Sequence, residues 1–388
     1  MKMFGKASCI LLFTLVCCRK PFNPPVISSP GSYLVVEGVI NSGNDSTNIK
    51  LSKTVRLDSK STVSPVLGAT VVIESNTGNS FNLLDVNSSG TYSSGPLHLS
   101  ASQTYRLKIN TNDGNQYISD FIAVKPTPPI DSIGYVIQNG VMQLYINTHD
   151  PSNNTRYYRW DYDETWLFHS KYESEYFLDT TTNTIQPRTL AQNVYYCFAS
   201  DASSNIILNS TAKLSQDIVY QSPLTQIPIT SEKLEEKYSI LVKQYALTDG
   251  AYKFYQNLKT NTEQLGSVFD AQPNQLNGNI HDVNNANKPV IGYLTVTNVQ
   301  SKRIFITNAA LPKFTVTIYP YDCKEDSALY VNKHGYNDVQ NELINRPIVY
   351  IPTFAIFGFG GIIGYGFSTS VCVDCTLRGT TKMPPFWK

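Results

Sequence analysis

The alternation in "TYRLKIN", residues 104–110, restricts the fold more than any other feature of the chain. Tyr105, Leu107 and Ile109 fall on one side and Arg106 and Lys108 on the other. That period of two belongs to a β-strand with one face on a core and one in water. "YLVVEGVI" repeats it, with Leu34, Val36 and Ile40 set against Glu37. "NIKLS" places Ile49 and Leu51 inward and Lys50 outward, and "GATVVIES" does the same with Ala69, Val71 and Ile73. Turn signals such as "NDG" at 112–114 punctuate the runs. Short alternating strands at regular spacing predict an antiparallel β-sandwich over residues 32–125.

Pro126, Pro128 and Pro129 then interrupt the pattern. Proline has no N–H to give a central ladder, so the chain leaves one sandwich here and begins another. Residues 130–388 form a larger β-rich C-terminal region. "SILVKQYAL", "KPVIGYLTVTNV", "KRIFITN" and "FTVTIYP" read as strands, and "FAIFGFGGIIGYGFSTS" as a Gly-rich aromatic strand pair. One helix is expected near 248–264, with Thr248 as its N-cap and Asp249 at the positive end of the helix dipole. Tyr252, Tyr255 and Leu258 form a packing stripe along it. The fold class is mainly β: two or more antiparallel β-sandwich-like modules in tandem, with one helix inserted in the C-terminal part.

The first residues concern location. Lys2 and Lys6 precede an uncharged apolar run from Ala7 to Val16, which ends at Cys17 and Cys18. The run is too short for a transmembrane helix, which needs roughly 20 apolar residues, and has the shape of a secretory signal. "LVCC" resembles a bacterial lipobox, with Leu15 three residues before the modified cysteine. That resemblance implies a signal peptide over 1–17 and lipidation of Cys18. More than one acyl chain gives stable attachment to a membrane. Residues 18–31, rich in proline, then serve as a semi-rigid tether. Arg19 and Lys20 follow the anchor and leave open which side of the membrane the body faces.

Four cysteines remain: Cys197, Cys323, Cys372 and Cys375. In an exported chain an even number implies up to two disulfides, with three possible connectivities. "CVDC" at 372–375 is alternatively half of a metal site or a redox pair. Zinc needs further Cys or His ligands at suitable spacing, and "FSTSVCVDC" reads as strand rather than as the start of a helix. Structural bridges are the favoured reading.

The composition excludes several classes of function. Net charge is +1 from 31 basic and 30 acidic residues, which leaves no basic footprint for nucleic acid. The five histidines fall in no HExxH, no GxSxG elbow is present, and the glycines at 358–366 do not fit GxGxxG. No cofactor and no metal site is expected. Two constellations have chemical potential, and the first is "RWDYDETW", residues 159–166. Asp161 and Asp163 share a strand face, with Glu164 on the other beside Trp160 and Trp166. Carboxylates could take calcium and the tryptophans could stack on a sugar, yet calcium wants six to eight oxygens, commonly from a loop. A solvated face paired with Arg or Lys is the simpler account. "HDPSNN" at 149–154 reads as an Asx–Pro turn.

Resemblances extend along the whole chain. Residues 66–109 resemble a carboxypeptidase-regulatory-like or transthyretin-like sandwich, and "DSIGYVIQNGVMQLYINTHD" resembles the opening of a fibronectin-type-III-like one. "LVVEGVI", "GATVVI", "PPIDSI", "WDYDETW", "LGSVFDAQPNQLNGNI", "VIGYLTV", "KRIFI" and "CVDCTLRGTTKMPPFW" follow in an order similar to that of the domain-of-unknown-function family DUF4249. That resemblance implies an outer-membrane lipoprotein of Bacteroidetes, often encoded beside a TonB-dependent receptor, and supplies no catalytic residue. The expected function is therefore non-enzymatic, an accessory or docking protein for such a β-barrel partner. The alternative is a glycan- or peptide-capturing surface lipoprotein that hands ligand to a transporter, with Trp160, Trp166, Asp161 and Asp163 as its binding residues.

Overall fold

The computed structural model describes residues 32–55, 64–263, 276, 278–313 and 315–388. The expected signal peptide, Cys18 and the tether lie outside the described residues, as does most of "LGSVFDAQPNQLNGNI".

The alternating segments become strands with the expected faces. Leu34–Asn41 pairs antiparallel with Ser46–Lys53, and Thr70–Ser75 pairs with both Ser80–Val86 and Thr104–Asn110. Ser80–Val86 also pairs with Thr91–Pro96, joining the two sheets of a sandwich. Ile40, Ile49, Leu51, Ile73, Leu107 and Ile109 are fully buried between them. Each such side chain taken from water contributes about 1.5–3 kcal/mol, enough collectively to hold the sheets face to face.

Two strands of this sandwich come from far along the chain. Ile280–Asp282 pairs with Gln116–Ser119, and Val296–Thr297 runs parallel to Leu34–Asn41 with Val296 opposite Ile40. Ile280, Val290, Leu294 and Val296 enter the same core. The module expected to end at residue 125 therefore takes in 278–299 as well. The physical reason is the free edge of Leu34–Asn41. Val36 and Ile40 donate their N–H groups to the carbonyls of Ile291 and Thr295 at 2.8 and 3.0 Å, which no local segment offers. Gly292 makes the approach possible: its φ is +151° and a Cβ there would stand 2.3 Å from the Val36 carbonyl oxygen.

The second sandwich sets the sheet of Ile130–Gln138, Val141–His149 and Ile218–Pro228 against a larger one. That larger sheet is ordered Tyr196–Ala202, Tyr157–His169, Lys237–Ala246, Gln300–Thr307, with Ile207–Ser210 also pairing to Tyr157–His169. Met142, Leu144, Ile146, Tyr158, Trp160, Ile240 and Val242 fill its core. Across the sheet's other face lies the helix Asp249–Glu263. It starts where expected, with the Thr248 hydroxyl accepting from the Ala251 N–H at 3.2 Å. Its buried Ala251, Phe254 and Tyr255, with Tyr252 and Leu258 partly covered, pack on Tyr245, Leu247 and Val39.

A third, smaller sheet orders Asp326–Leu329, Gly361–Thr369 and Tyr350–Gly358. Ala328, Val339, Leu343, Tyr365 and Phe367 form its core, with Tyr176 and Ile185 of a separate hairpin packed alongside. Three expected strands are absent or cut short, and of "KPVIGYLTVTNV" only Val296–Thr297 is strand. In "FTVTIYP", residues 315–319 form no strand, because Pro312 and Pro320 bracket a stretch whose Ile318 N–H meets only the Thr230 carbonyl, at 2.9 Å. In "FSTSVCVDC" the strand stops at Thr369 and Ser370–Val373 winds into a helical turn. Asp374 then accepts from the Thr376 N–H and starts a second turn, Cys375–Leu377. Local side-chain-to-backbone bonding of this kind competes with a ladder.

Candidate functional site

The strand Tyr157–His169 sits inside its sheet, so its even-numbered side chains go to the core. Trp160 is completely buried, and its indole N–H donates to Gln244 Oε1 at 2.8 Å. It is a core residue and offers no platform to a sugar. Tyr158 lies beside it and donates to Asp217 at 2.9 Å, with burial first and that carboxylate second pushing its phenol far up. Glu164 is also buried, bonded to the Lys233 ammonium and the Tyr238 hydroxyl. Trp166 is half-buried, and Lys233 stands over its ring at 4.9 Å, covering the face a ligand would need.

The odd-numbered side chains face the other way. Asp163 pairs with Lys243 at 2.7 Å, and Asp161 accepts from Arg159 at 3.2 Å. The Arg159 guanidinium is itself held 4.4 Å from the Tyr245 ring and 4.7 Å from the Tyr255 ring. Each carboxylate thus has its own cation, as a solvated strand face would. Asp161, Arg159 and Lys243 also line one wall of an open cleft of about 640 Å³, whose other wall is Gly38, Asn41 and Asn48 of the first sandwich. Trp160 and Trp166 are not among its lining residues.

The four cysteines form two disulfides, Cys197–Cys375 and Cys323–Cys372. The two cysteines of "CVDC" therefore go to different partners, one in the strand Tyr196–Ala202 and one in the segment before Asp326–Leu329. Beyond the first bridge, Phe198 and Thr380 exchange backbone hydrogen bonds at 2.8 and 2.9 Å. Trp387 then packs edge-on against Phe198 and Phe305, with centroids 5.1 and 5.5 Å away. Among the described residues no group of three His, Cys, Asp or Glu is placed to hold a metal ion. His149 and His281 instead face single carboxylates, Asp131 and Asp120.

The surface feature that stands apart is the end of the hairpin Tyr350–Gly358 and Gly361–Thr369. Phe357 is 71% exposed, Phe359 at the turn is fully exposed, and Ile362 and Ile363 are 38% and 43% exposed. Phe357 lies opposite Ile362 in the ladder, so the two share a face, while Ile363 points to the other. Tyr330 donates its N–H to the Ile363 carbonyl at 2.9 Å, which brings the exposed Val331 to the same end. No polar side chain occurs from Phe354 to Ile363.

The family model described as a domain of unknown function, DUF4249, matches residues 19–303. The chain belongs to the DUF4249 family. The matched residues include the first sandwich, the helix and the second sandwich up to the middle of Gln300–Thr307 in this DUF4249 chain, and the hairpin lies beyond them. Among curated proteins no sequence matches it. A solved structure of a proposed carbohydrate-binding protein from Bacteroides uniformis is similar at 11% identity. The likeness covers 56% of this chain and 91% of that one, at a TM-score of 0.15. That score is too low to transfer either fold or function.

The sequence pattern predicts the hairpin as a strand pair and assigns its glycines to close packing, without singling out its tip. The available signal was charge. Residues 347–373 hold no charged side chain, in a chain that is 16% charged.

Proposed function

We propose that this chain is a non-enzymatic outer-membrane lipoprotein, anchored through acyl groups on Cys18 and working by docking. Its partner is a large β-barrel, a TonB-dependent receptor or another outer-membrane assembly. One observation supports the reading above the others: the hairpin end is an exposed apolar surface, devoid of acid, base or nucleophile and suited to holding the body at a membrane, where a barrel partner would lie. The polar candidates, by contrast, are consumed in the fold, Trp160 and Glu164 in the interior and Asp163 in an ion pair. Open sheet edges and loops give the barrel its attachment points. The test is purification from the native host in detergent. The amino-terminal peptide is expected to carry acyl chains on Cys18, and a β-barrel protein is expected to co-purify. An unmodified amino terminus on a protein recovered alone would remove the reading.

The cleft between the sandwiches favours a second reading, capture of a glycan or peptide for a transporter. Its wall of Asp161, Arg159 and Lys243 facing Asn41 and Asn48 offers hydrogen-bond donors and acceptors of both charges. Titration calorimetry on the isolated protein would then find micromolar binding that Asp161→Ala abolishes. Loss on Trp160→Ala carries no such meaning, because that side chain never meets solvent.

A further inference from the structure

We infer that the hairpin end, Phe357, Phe359, Ile362 and Ile363, is a second membrane contact that enters the boundary between headgroups and acyl chains of a bilayer. The inference rests on the reading of a membrane-held protein, and it names the lipid surface itself as the hairpin's partner.

Three observations select lipid over a protein pocket. First, the end is apolar on both faces at once, since Ile362 and Ile363 are neighbours on a strand and both are exposed. A pocket on a protein engages one face, whereas hydrocarbon surrounds both. Second, residues 354–363 hold no hydrogen-bonding side chain. Protein interfaces carry about one hydrogen bond per 100–200 Å², which this surface could meet only through its backbone. Third, the loop beside the end changes composition in the way a membrane–water boundary requires. Tyr330, Val331, Lys333 and Tyr336 are all exposed there. Tyrosines suit the headgroup level and Lys333 complements anionic phosphates. A turn anchored by Asn332, whose side chain accepts from the His334 and Tyr336 N–H groups at 2.8 and 3.0 Å, fixes this loop.

Backbone chemistry sets the depth. The last rung of the ladder is Gly358 opposite Gly361, so the polar groups of the turn beyond it lack strand partners. Hydrocarbon penalises unpaired backbone, which confines the end to about the outer 5–10 Å that interfacial elements occupy. Fully extended, the chain from Cys18 to Ser32 spans at most about 50 Å, which limits how far the body can stand from its anchor.

The experiment uses the processed chain from residue 18 with Cys18→Ala, so that no acyl group contributes. It is mixed with vesicles of phosphatidylethanolamine and phosphatidylglycerol and sedimented. The protein is expected to bind, and Phe357→Asp with Phe359→Asp is expected to weaken binding at least tenfold while leaving the melting curve unchanged. Phe359→Trp is expected to give emission that shifts to the blue and is quenched by brominated acyl chains. Lys333→Glu is expected to weaken binding only where phosphatidylglycerol is present. No sedimentation, binding indifferent to the double substitution, or an unquenched Phe359→Trp each overturns the inference. So does a protein that captures the hairpin while vesicles do not. Mass spectrometry of Cys18 from the native host separates the two readings. Acylated Cys18 without vesicle binding removes the hairpin contact alone, and vesicle binding with unmodified Cys18 removes the anchor alone.

Discussion

The indole N–H of Trp160 meets Gln244 Oε1 at 2.8 Å, and neither side chain has any exposed surface. Gln244 in turn donates to the Pro128 carbonyl and to Thr148 Oγ1 at 2.8 and 2.9 Å, so the buried polar set is complete. Breaking it leaves an unpaired acceptor as well as a cavity. Trp160→Phe is expected to lower unfolding free energy by about 2–3 kcal/mol and Trp160→Ala by about 3–5 kcal/mol, measured by urea denaturation.

The acidic residues of the same strand should separate by burial. Glu164, 3% exposed, neutralises Lys233 and accepts from Tyr238. Removing Glu164 leaves the buried Tyr238 hydroxyl without its acceptor and the partly exposed Lys233 with only Asp201, at 3.7 Å, so Glu164→Ala is expected to cost about 1–3 kcal/mol. Asp163 and Lys243 are solvated, and Asp163→Ala should cost under about 1 kcal/mol. Equal losses in the two denaturation curves would contradict the assignment of faces.

Asp150 gives the fold an acid sensitivity. Burial pushes its carboxyl up, but hydrogen bonds from Ser152 and Thr155 outweigh that and hold it at about 2, against 3.8 for an ordinary aspartate. A depressed carboxylate stabilises the folded state fully above the unfolded value and loses that contribution as pH falls through the folded one. The window is therefore about pH 4 down to pH 2, with about 1 kcal/mol at stake once solvent screening is allowed for. Asp150→Asn should flatten stability across that window, as read by thermal melts at stepped pH.

The bridge Cys197–Cys375 ties residues 178 positions apart. Cys375→Ser is expected to lower stability by about 2–5 kcal/mol. It should also release Trp387 from Phe198 and Phe305, seen as early tryptic cleavage near Lys382. An unchanged cleavage pattern would mean that aromatic packing and the Phe198–Thr380 backbone bonds hold the tail without the bridge.

Gly292→Ala puts a Cβ against the Val36 carbonyl in a backbone conformation that side chains avoid. The substitution is expected to cost about 2–4 kcal/mol. Proteolysis within 278–299 should accelerate before any site in 130–250 opens.

Alternation made the first sandwich legible, because one core face and one solvent face leave a direct mark at Leu34, Val36, Ile49 and Leu107. The helix was legible for a similar reason, since Thr248 caps locally. The placement of 278–299 was not, as its partners at Leu34–Asn41 are some 250 residues away and edge pairing leaves no short-range pattern. In "RWDYDETW" the alternation set Trp160 apart from Asp161, but it could not show how completely the opposing sheet covers Trp160, so its loss as a ligand platform was not legible. The turn at Cys372–Cys375 escaped because β-branched Val371 and Val373 favour a strand, while the cap at Asp374 and two disulfides impose another course.

Closing the first sandwich with Val296 dictates an order of events during synthesis. Threaded from the amino terminus, the body's earliest strands emerge with the flank of Leu34–Asn41 still bare, and wait until three-quarters of the polypeptide has followed. Such distant pairing slows folding and prolongs exposure of a sticky margin. Chaperones that hold incomplete chains would matter most for this protein in that interval.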